Sequence, residues 1–461
     1  MEIPWVFIGL VLWLVNLSAA CGAVLMAGAA ETITTPATKG KEVHDDLYAR
    51  ALVLAEDDMR LVVVTYDGIG MSIASNNNLR RAINKATGIP AENVVINCSH
   101  GHTAPGPSAE TWERDKQPST VDEATILYDE WLGKAEGELT YGRWFLGHIV
   151  EVAKRAAENL QPATLRVGRA PAQIGYNRRL MKDGKIVMAP NPKGAIVPWV
   201  DVLAAYGEDG RRIGVLFSYA AHPVIVIEPI SAGFPGYAIK HLRNLLSTAG
   251  EPEGTFMFAQ GCGGNINGHP LWSGFGACET AGLSLAFAVT RALNDGHSVQ
   301  PAQLNVRSLD LSLPLEDPPP VAKLKELLKQ DLDVPRYQKR RRALLAMAES
   351  GEPQFHPYPM SAFGISNEVC ILFLPDETFA EYQLFADEIS PFEHTIVYGY
   401  TNGRSMYIAT KKDYELGSKG GYEAWAHPQG IGKYLRPRAS CEQIIRDGIT
   451  RLLNELKSDY E

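Results

Sequence analysis

From Ala27 onward, short apolar runs alternate with stretches of helical periodicity, and this alternation constrains the fold more than any other feature of the chain. ALVLAEDDMRLVVVTYDG, beginning at Ala51, reads as two strands joined by an acidic turn. NNNLRRAINKATG follows as an amphipathic helix that stops at Gly88. AENVVINCSH is the next strand, and YGRWFLGHIVEVAKRAAENL is a long helix with apolar residues at helical spacing. Strand-then-helix pairs recur in RRIGVLFSYAAHP with YAIKHLRNLLSTAG, in GTFMFAQGCGGN with ETAGLSLAFAVTRALNDG, and within VCILFLPDETFAEYQLFADEI. Two strands flank TNGR in HTIVYGYTNGRSMYIAT, and CEQIIRDGITRLLNELK closes the chain as a helix. The pattern specifies an α/β fold. The Pro-bounded segment LEDPPPVAKLKELLKQDLDVP reads as an excursion inside one domain, residues 26–461, and not as a boundary.

Composition narrows the function. A hydrophobic content of 45% over 461 residues is ample for a large core. The formal charge of −9 argues against a nucleic-acid partner. The one basic cluster, Gln338–Ala343, lies between acidic helical stretches and reads as a solvated helix face. The six cysteines, Cys21, Cys98, Cys262, Cys278, Cys370 and Cys441, form no CxxC pair, so a thiolate zinc site is not expected. Their even number suits disulfides only in an exported protein, and Cys98 and Cys370 read as small buried residues beside apolar runs.

Residues 1–25 are apolar and read as a leader: a signal peptide, an uncleaved anchor, or the product of a mis-assigned start with Met26 as the true one. The expectation is export, to the periplasm, the exterior or a membrane-anchored state. Initiation at Met26 would instead leave the protein cytoplasmic. Any membrane association is expected to run through this leader.

Polar residues gather at the C-terminal ends of the expected strands, where α/β sheets build their sites. His100 and His102 follow VVI, His222 follows VLFSYAA, the loop GCGGNIN follows FMFAQ, Glu377 follows CILFLPD, and Tyr407 lies in RSMYIAT. Neutral imidazole is the commonest metal ligand. Histidines from different strands with a carboxylate would make a mixed N/O zinc site. In a strand, residues i and i+2 share a face, so His100 and His102 are expected to point into one cleft, one toward the metal and the other toward substrate.

These residues resemble the motifs of the neutral ceramidases and of the larger bacterial group sharing their catalytic domain. LMAGAAETITTP is similar to the family's opening strand and VHDDLYARALVL to its second segment. SHGHTAP, YAAHP, SAGFPG, QGCGGNIN and LPDETF follow in family order, so the likeness covers nearly all of residues 26–461. The resemblance implies a zinc-dependent amidase. By motif, His100, His222, Glu377 and Tyr407 would be the Zn2+ ligands. His102 would bond the reacting oxygen, and Arg178 in GYNRRL would lie near the site, with Arg179 its possible confusion. Tyr422 in GGYEAW would be a second catalytic tyrosine, or the ligand in place of Tyr407. The tetrahedral oxyanion would be stabilised by the ion, His102 and Tyr422, and His102 would protonate the leaving amine.

Three departures bear on substrate. Asn265 stands where the family has an aspartate, Asn267 where it has a serine, and Gly233 where SADFPG has its aspartate. The family's C-terminal immunoglobulin-like domain is not expected here. Asn267 offers a donor and an acceptor on separate atoms, which suits orienting a polar substrate. If Arg178 faced the pocket, an anionic substrate would be favoured. The expected function is hydrolysis of an N-acyl bond in a small-molecule, lipid or glycan substrate other than a typical long-chain ceramide. The alternative is a metal-assisted polysaccharide lyase, with arginine neutralising a uronate and Tyr or His as base.

Overall fold

The computed structural model describes residues 24–35, 42–104, 141–247, 254–299, 302–329, 335–426 and 435–461. The apolar leader up to residue 23, with Cys21, and the Pro-Gly exit that follows Ala104 lie outside them. In chain order the strands are β1 (Met26–Ile33), β2 (Tyr48–Glu56), β3 (Met59–Tyr66), β4 (Val94–Cys98), β5 (Gln161–Pro171), β6 (Gly175–Asn177), β7 (Arg179–Lys182), β8 (Lys185–Met188), β9 (Trp199–Gly207), β10 (Arg212–Tyr219), β11 (Thr255–Gln260), β12 (Ile266–Gly268), β13 (His297–Val299), β14 (Asn305–Pro314), β15 (Phe355–Gly364), β16 (Val369–Phe373), β17 (Glu377–Thr378), β18 (His394–Tyr398) and β19 (Tyr407–Ile408). The helices are α1 (Ile73–Thr87), α2 (Tyr141–Glu158), α3 (Gly233–Leu246), α4 (Phe275–Asp295), α5 (Val321–Leu328), α6 (Pro335–Ser350), α7 (Ala380–Ile389), α8 (Lys411–Glu415) and α9 (Cys441–Lys457).

A long sheet runs β11-β10-β9-β5-β1-β2-β3-β4, with β13 beside β5, and a second sheet runs β14-β15-β16-β18. Side chains alternate across a strand, and that period builds four layers. In β2, Leu52 and Leu54 join a core shared with Ile371 and Phe373 of the second sheet. Ala49, Ala51 and Val53 of the same strand pack instead with Ile83 of α1 and Val152 of α2. Phe217 of β10 and Phe258 of β11 meet Phe234 and Ala238 of α3 and Leu285 and Val289 of α4. Cys370 and Leu372 of β16 meet Tyr382 of α7 and Ile445, Ile449 and Leu452 of α9. The molecule is thus mixed α/β, helices outside and two sheets face to face between them. These strands are apolar on both faces because both faces are covered.

Most ladders are antiparallel. The parallel pairs are β3–β4, β10–β11, β16–β18 and β17–β19. They involve the strands whose C-terminal ends carry the candidate site. The edge strands β4 and β11 of the long sheet also come together there. Asn97, fully buried, accepts from the Gln260 backbone N–H (2.8 Å) and donates to the Gln260, Gly399 and Thr401 oxygens (3.2, 2.7 and 3.1 Å). One carboxamide therefore joins β4, β11 and the loop after β18.

Among the described residues, no helix is long and apolar enough to cross a membrane. Cys98, Cys262, Cys278, Cys370 and Cys441 are unpaired and buried, and burial pushes the Cys98 and Cys370 thiols up to about 12. The basic run Gln338–Ala343 lies on α6.

Candidate active site

The strand β4 ends at Cys98, two residues before the first histidine. His100 takes a left-handed backbone, φ 61°. For an L-residue this costs roughly 1–2 kcal/mol. The expectation that His100 and His102 share a cleft through the two-residue period of a strand is therefore corrected. The rings do meet, with centroids 4.9 Å apart and planes at 89°, but a reversal of the chain brings them together. His100 is buried completely and His102 is exposed.

The second histidine is set by the Gly-rich loop after β11. His222 Nδ1 donates to the carbonyls of Gly263 (2.8 Å) and Ile266 (3.1 Å). His100 Nδ1 likewise donates to the Ile69 carbonyl at 2.8 Å. Both rings thus carry their proton on Nδ1 and turn the Nε2 lone pair inward. Gly264 has to be glycine, because a Cβ there would sit 2.3 Å from the Glu377 carbonyl oxygen.

Glu377 and Tyr407 are paired across β17 and β19. Glu377 Oε2 lies 3.1 Å from His222 Nε2 and 3.4 Å from His100 Nε2. The Tyr407 hydroxyl lies 3.4 Å from His222 Nε2. All four side chains are at most 3% exposed. Burial, opposed by the facing Glu377, lowers the His100 pKa, and burial with the nearby Arg178 charge pushes His222 down to about 3. Burial alone would raise the Glu377 carboxyl. Positive charge facing it, from a protonated His100 and from the Arg404 guanidinium, outweighs it and holds the carboxyl well below the usual range. With the Nδ1 atoms committed to backbone carbonyls, the Nε2 atoms of both rings converge on a carboxylate that Arg404 also holds, and His100 Nε2 has no hydrogen-bond partner. A cation satisfies that convergence. Ligand bonds of about 2.0–2.1 Å in a tetrahedron place donors about 3.3 Å apart, which matches the spacing here. The residues fit a metal. The ligating nitrogens of His100, His102 and His222 also lie within 4.8 Å of one another, so His102 offers a second way to complete the set.

Arg178 lies behind this floor. Its Nε donates to Glu423 (2.7 Å), Nη1 to the Asn267 side-chain oxygen (2.8 Å), and Nη2 to the Gly264 carbonyl (2.9 Å) and the Tyr407 hydroxyl (3.0 Å). It is 4% exposed. Arg178 lies near the site as expected, but the condition for an anionic substrate, an Arg178 facing the pocket, is not met, since its donors are committed to protein oxygens. Asn267 is corrected with it: the side-chain oxygen that would accept from a polar substrate is taken by Arg178. Asn265 receives the Ala380 N–H and donates to Glu381 at 2.7 Å, so Glu381 braces the start of α7 while Glu377 faces the histidines. Arg179 binds Glu423, Asp413 and the Gly420 carbonyl, and so holds the π-helical turn Tyr422–Ala426. Tyr422 opens from that turn, 40% exposed, with its ring edge-on to Tyr407 at 5.8 Å.

Sequence reasoning missed four residues. Asn97 and Glu423 are described above. Tyr400, at φ 51°, covers His100 with ring centroids 4.7 Å apart. Arg404 Nε donates to Glu377 Oε1 at 2.9 Å. TNGR was noted only as a turn, which is an ordinary place for an arginine.

No family model and no curated protein sequence matches the chain. Solved structures do. The neutral ceramidase from Pseudomonas aeruginosa superposes with a TM-score of 0.65 at 19% identity, over 94% of this chain and 75% of that one. A ceramidase complexed with C2 gives 0.66 at 17% identity, over 95% and 76%. The chain has the neutral ceramidase fold. The agreement covers 94–95% of the chain, and the fold expected from the motifs stands. At these identities a neutral ceramidase fold carries the scaffold and not the substrate, because function resides in the site.

Proposed function

We propose that the protein is a metal-dependent hydrolase of an amide (N-acyl) bond, with zinc as the ion. The observation that carries this reading is the convergence of the buried His100 Nε2, His222 Nε2 and Glu377 Oε2 at 3.1–3.4 Å. The fold of two solved ceramidases supports the reaction class. His100, His222, Glu377 and Tyr407 would hold the ion, which when bound polarises a carbonyl and lowers the pKa of water to ~7.

The chain's own groups do the rest. The Nδ1 bonds keep both rings aimed, and Arg178 fixes the Tyr407 oxygen. His102 stands at the opening with its ring reaching solvent, although the neighbouring protein, and then the imidazoles of His100 and His222, lower its pKa. A neutral imidazole at the opening takes the proton of the attacking water and returns it to the leaving nitrogen. The accessible Tyr422 hydroxyl is placed to donate to the developing oxyanion.

We read the substrate as something other than a typical long-chain ceramide. The cavity beside His102, about 680 Å³, is lined by Glu42, Thr103 and Glu228 as well as Ile227 and Ile230, and so differs from an apolar tunnel for an acyl chain. Uronate elimination loses Arg178 as the arginine for its carboxylate, because Arg178 is spent inside the protein. The test is elemental analysis followed by a panel of N-acyl sphingosines, N-acyl amino acids, N-acetyl sugars and uronate oligosaccharides, with zinc supplied. One zinc per chain and release of a free amine are expected. A preparation without stoichiometric transition metal would overturn the proposal, and absorbance from a new double bond would replace it with elimination.

A further inference from the structure

Arg404 is held by a loop with unusual backbone geometry. Asp376, Tyr400 and Asn402 all have left-handed φ, at 63°, 51° and 57°. Asn402 exchanges bonds with the Ile96 backbone through its side-chain oxygen (2.9 Å) and its N–H (2.8 Å). The Arg404 N–H reaches the Met71 carbonyl at 2.7 Å, and Asp376 Oδ1 accepts from Ser405 and Met406 (2.6 and 3.2 Å). Strained backbone persists only where surrounding bonds over-determine it, and it concentrates at functional sites. The residue so placed is an arginine with one edge on Glu377.

That edge uses a single donor, Nε. Among the described residues the two Nη groups have no hydrogen-bond partner, and they are not among the buried orphaned atoms. The side chain is 19% exposed, so the free edge of the guanidinium opens to solvent. Its Nε bond to Glu377 places that edge beside the candidate ligands. A planar fork with two free N–H groups at such an opening matches a carboxylate. The cavity beside His102 carries Glu42 and Glu228, which would repel one, so Arg404 is the group suited to receive it.

We propose that Arg404 is a specificity residue that reads a carboxylate on the substrate, next to the bond that is broken. This rests on the amide-hydrolase reading above for the identity of that bond, but not for the binding itself. Two kinds of molecule carry the group: an N-acyl amino acid and a uronate sugar. The first fits the proposed reaction.

The experiment uses the full chain loaded with zinc and measures binding by calorimetry, separately from turnover. N-butanoyl-phenylalanine is compared with its primary amide, and a galacturonate trimer with its methyl ester, on wild type, Arg404→Gln and Arg404→Lys. Wild type should prefer the carboxylate of at least one pair by roughly 10–100-fold, the range of a charge-assisted pair. Arg404→Gln should lose that preference and Arg404→Lys keep part of it, all three with one zinc. A preference that survives in Arg404→Gln would overturn the proposal, since the ion or another group would then be reading the carboxylate. Absence of any preference in wild type would overturn it as well. Loss of zinc from both variants would also overturn it and reduce Arg404 to a support for Glu377. Binding that depends on Arg404 without amine release would leave the inference standing and remove the amide reading.

Discussion

His100 and His102 are two residues apart, yet they belong to different regions. His100 lies in a floor with His222, Glu377 and Tyr407, each at most 3% exposed and fixed by backbone or arginine partners. His102 belongs to a rim with Tyr422, Arg404 and the cavity bearing Glu42 and Glu228, where side chains reach solvent. Every floor side chain is held by a hydrogen bond behind it, and Glu377 and Tyr407 also by strand register. Rim residues stand on turns and reach solvent, and Arg404 among them also bonds a floor atom, Glu377. On this reading, reaction class is written in the floor and substrate in the rim.

The sharpest way to break that division is to remove a floor ligand. His222→Ala and Glu377→Ala should each release the metal and bring activity to background, because binding of the ion depends on the complete donor set. Retained stoichiometric zinc in Glu377→Ala would show that His102 completes the set in its place. His102→Ala should keep one zinc and lower kcat by roughly 10²–10⁴, the usual contribution of a positioned acid–base group. If His102→Ala and His222→Ala lose zinc equally, the boundary between floor and rim is drawn in the wrong place.

Arg178→Met tests the layer under the floor. It leaves the Tyr407 oxygen unheld and strips Glu423, 2% exposed, of one of its two arginines. Breaking a buried pair costs about 3–5 kcal/mol. The lower end is expected here because Arg179 remains, read as a fall in unfolding free energy on denaturant titration. Metal affinity should weaken about 10–100-fold, as when a group supporting a ligand is lost. Unchanged stability would mean that the network is not holding the site.

The same division explains what could be read from the chain. His100, His222 and Glu377 were legible because each follows an apolar strand, and because few side-chain types can face a metal, whereas Tyr407 came only from the motif resemblance. The four layers were partly legible, since β2 and β16 are apolar on both faces and so require cover on both. The approach of β4 to β11 was not, because it turns on one asparagine, Asn97, whose partners lie 163 and 302 positions away. Glu423 was hidden for the same reason: its bond to Arg178 spans 245 positions, and no local pattern announces it. The His100 conformation escaped a period-two argument because the strand stops at Cys98. Arg404 escaped because a turn sequence explains an arginine well enough without the site.

The smallest effect separates substrate choice from the departure at Gly233. Gly233 has φ 63°, and its N–H donates to Ser231 Oγ at 3.0 Å. A Cβ there meets Pro223 at 3.6 Å and Pro235 at 3.7 Å, ordinary contacts, so Gly233→Asp fits sterically. The left-handed backbone costs an L-residue roughly 1–2 kcal/mol, somewhat less for Asp, which is enriched there. A carboxylate at the start of α3 regains about 0.3–1 kcal/mol from the helix dipole. Part of that is lost again, because Asp45 already accepts from the Ala232 N–H and the Ser231 hydroxyl at 2.7 and 2.5 Å. The net expectation is a destabilisation of about 1 kcal/mol, a fall of roughly 2 °C in Tm for a chain of this size. Zinc content and the ranking of substrates should not change, because Gly233 belongs to neither the floor nor the arginine side of the rim. If Gly233→Asp instead raises kcat/KM on a long-chain ceramide to ~10⁴ M⁻¹s⁻¹ or more, this one position governs substrate, and Arg404 does not.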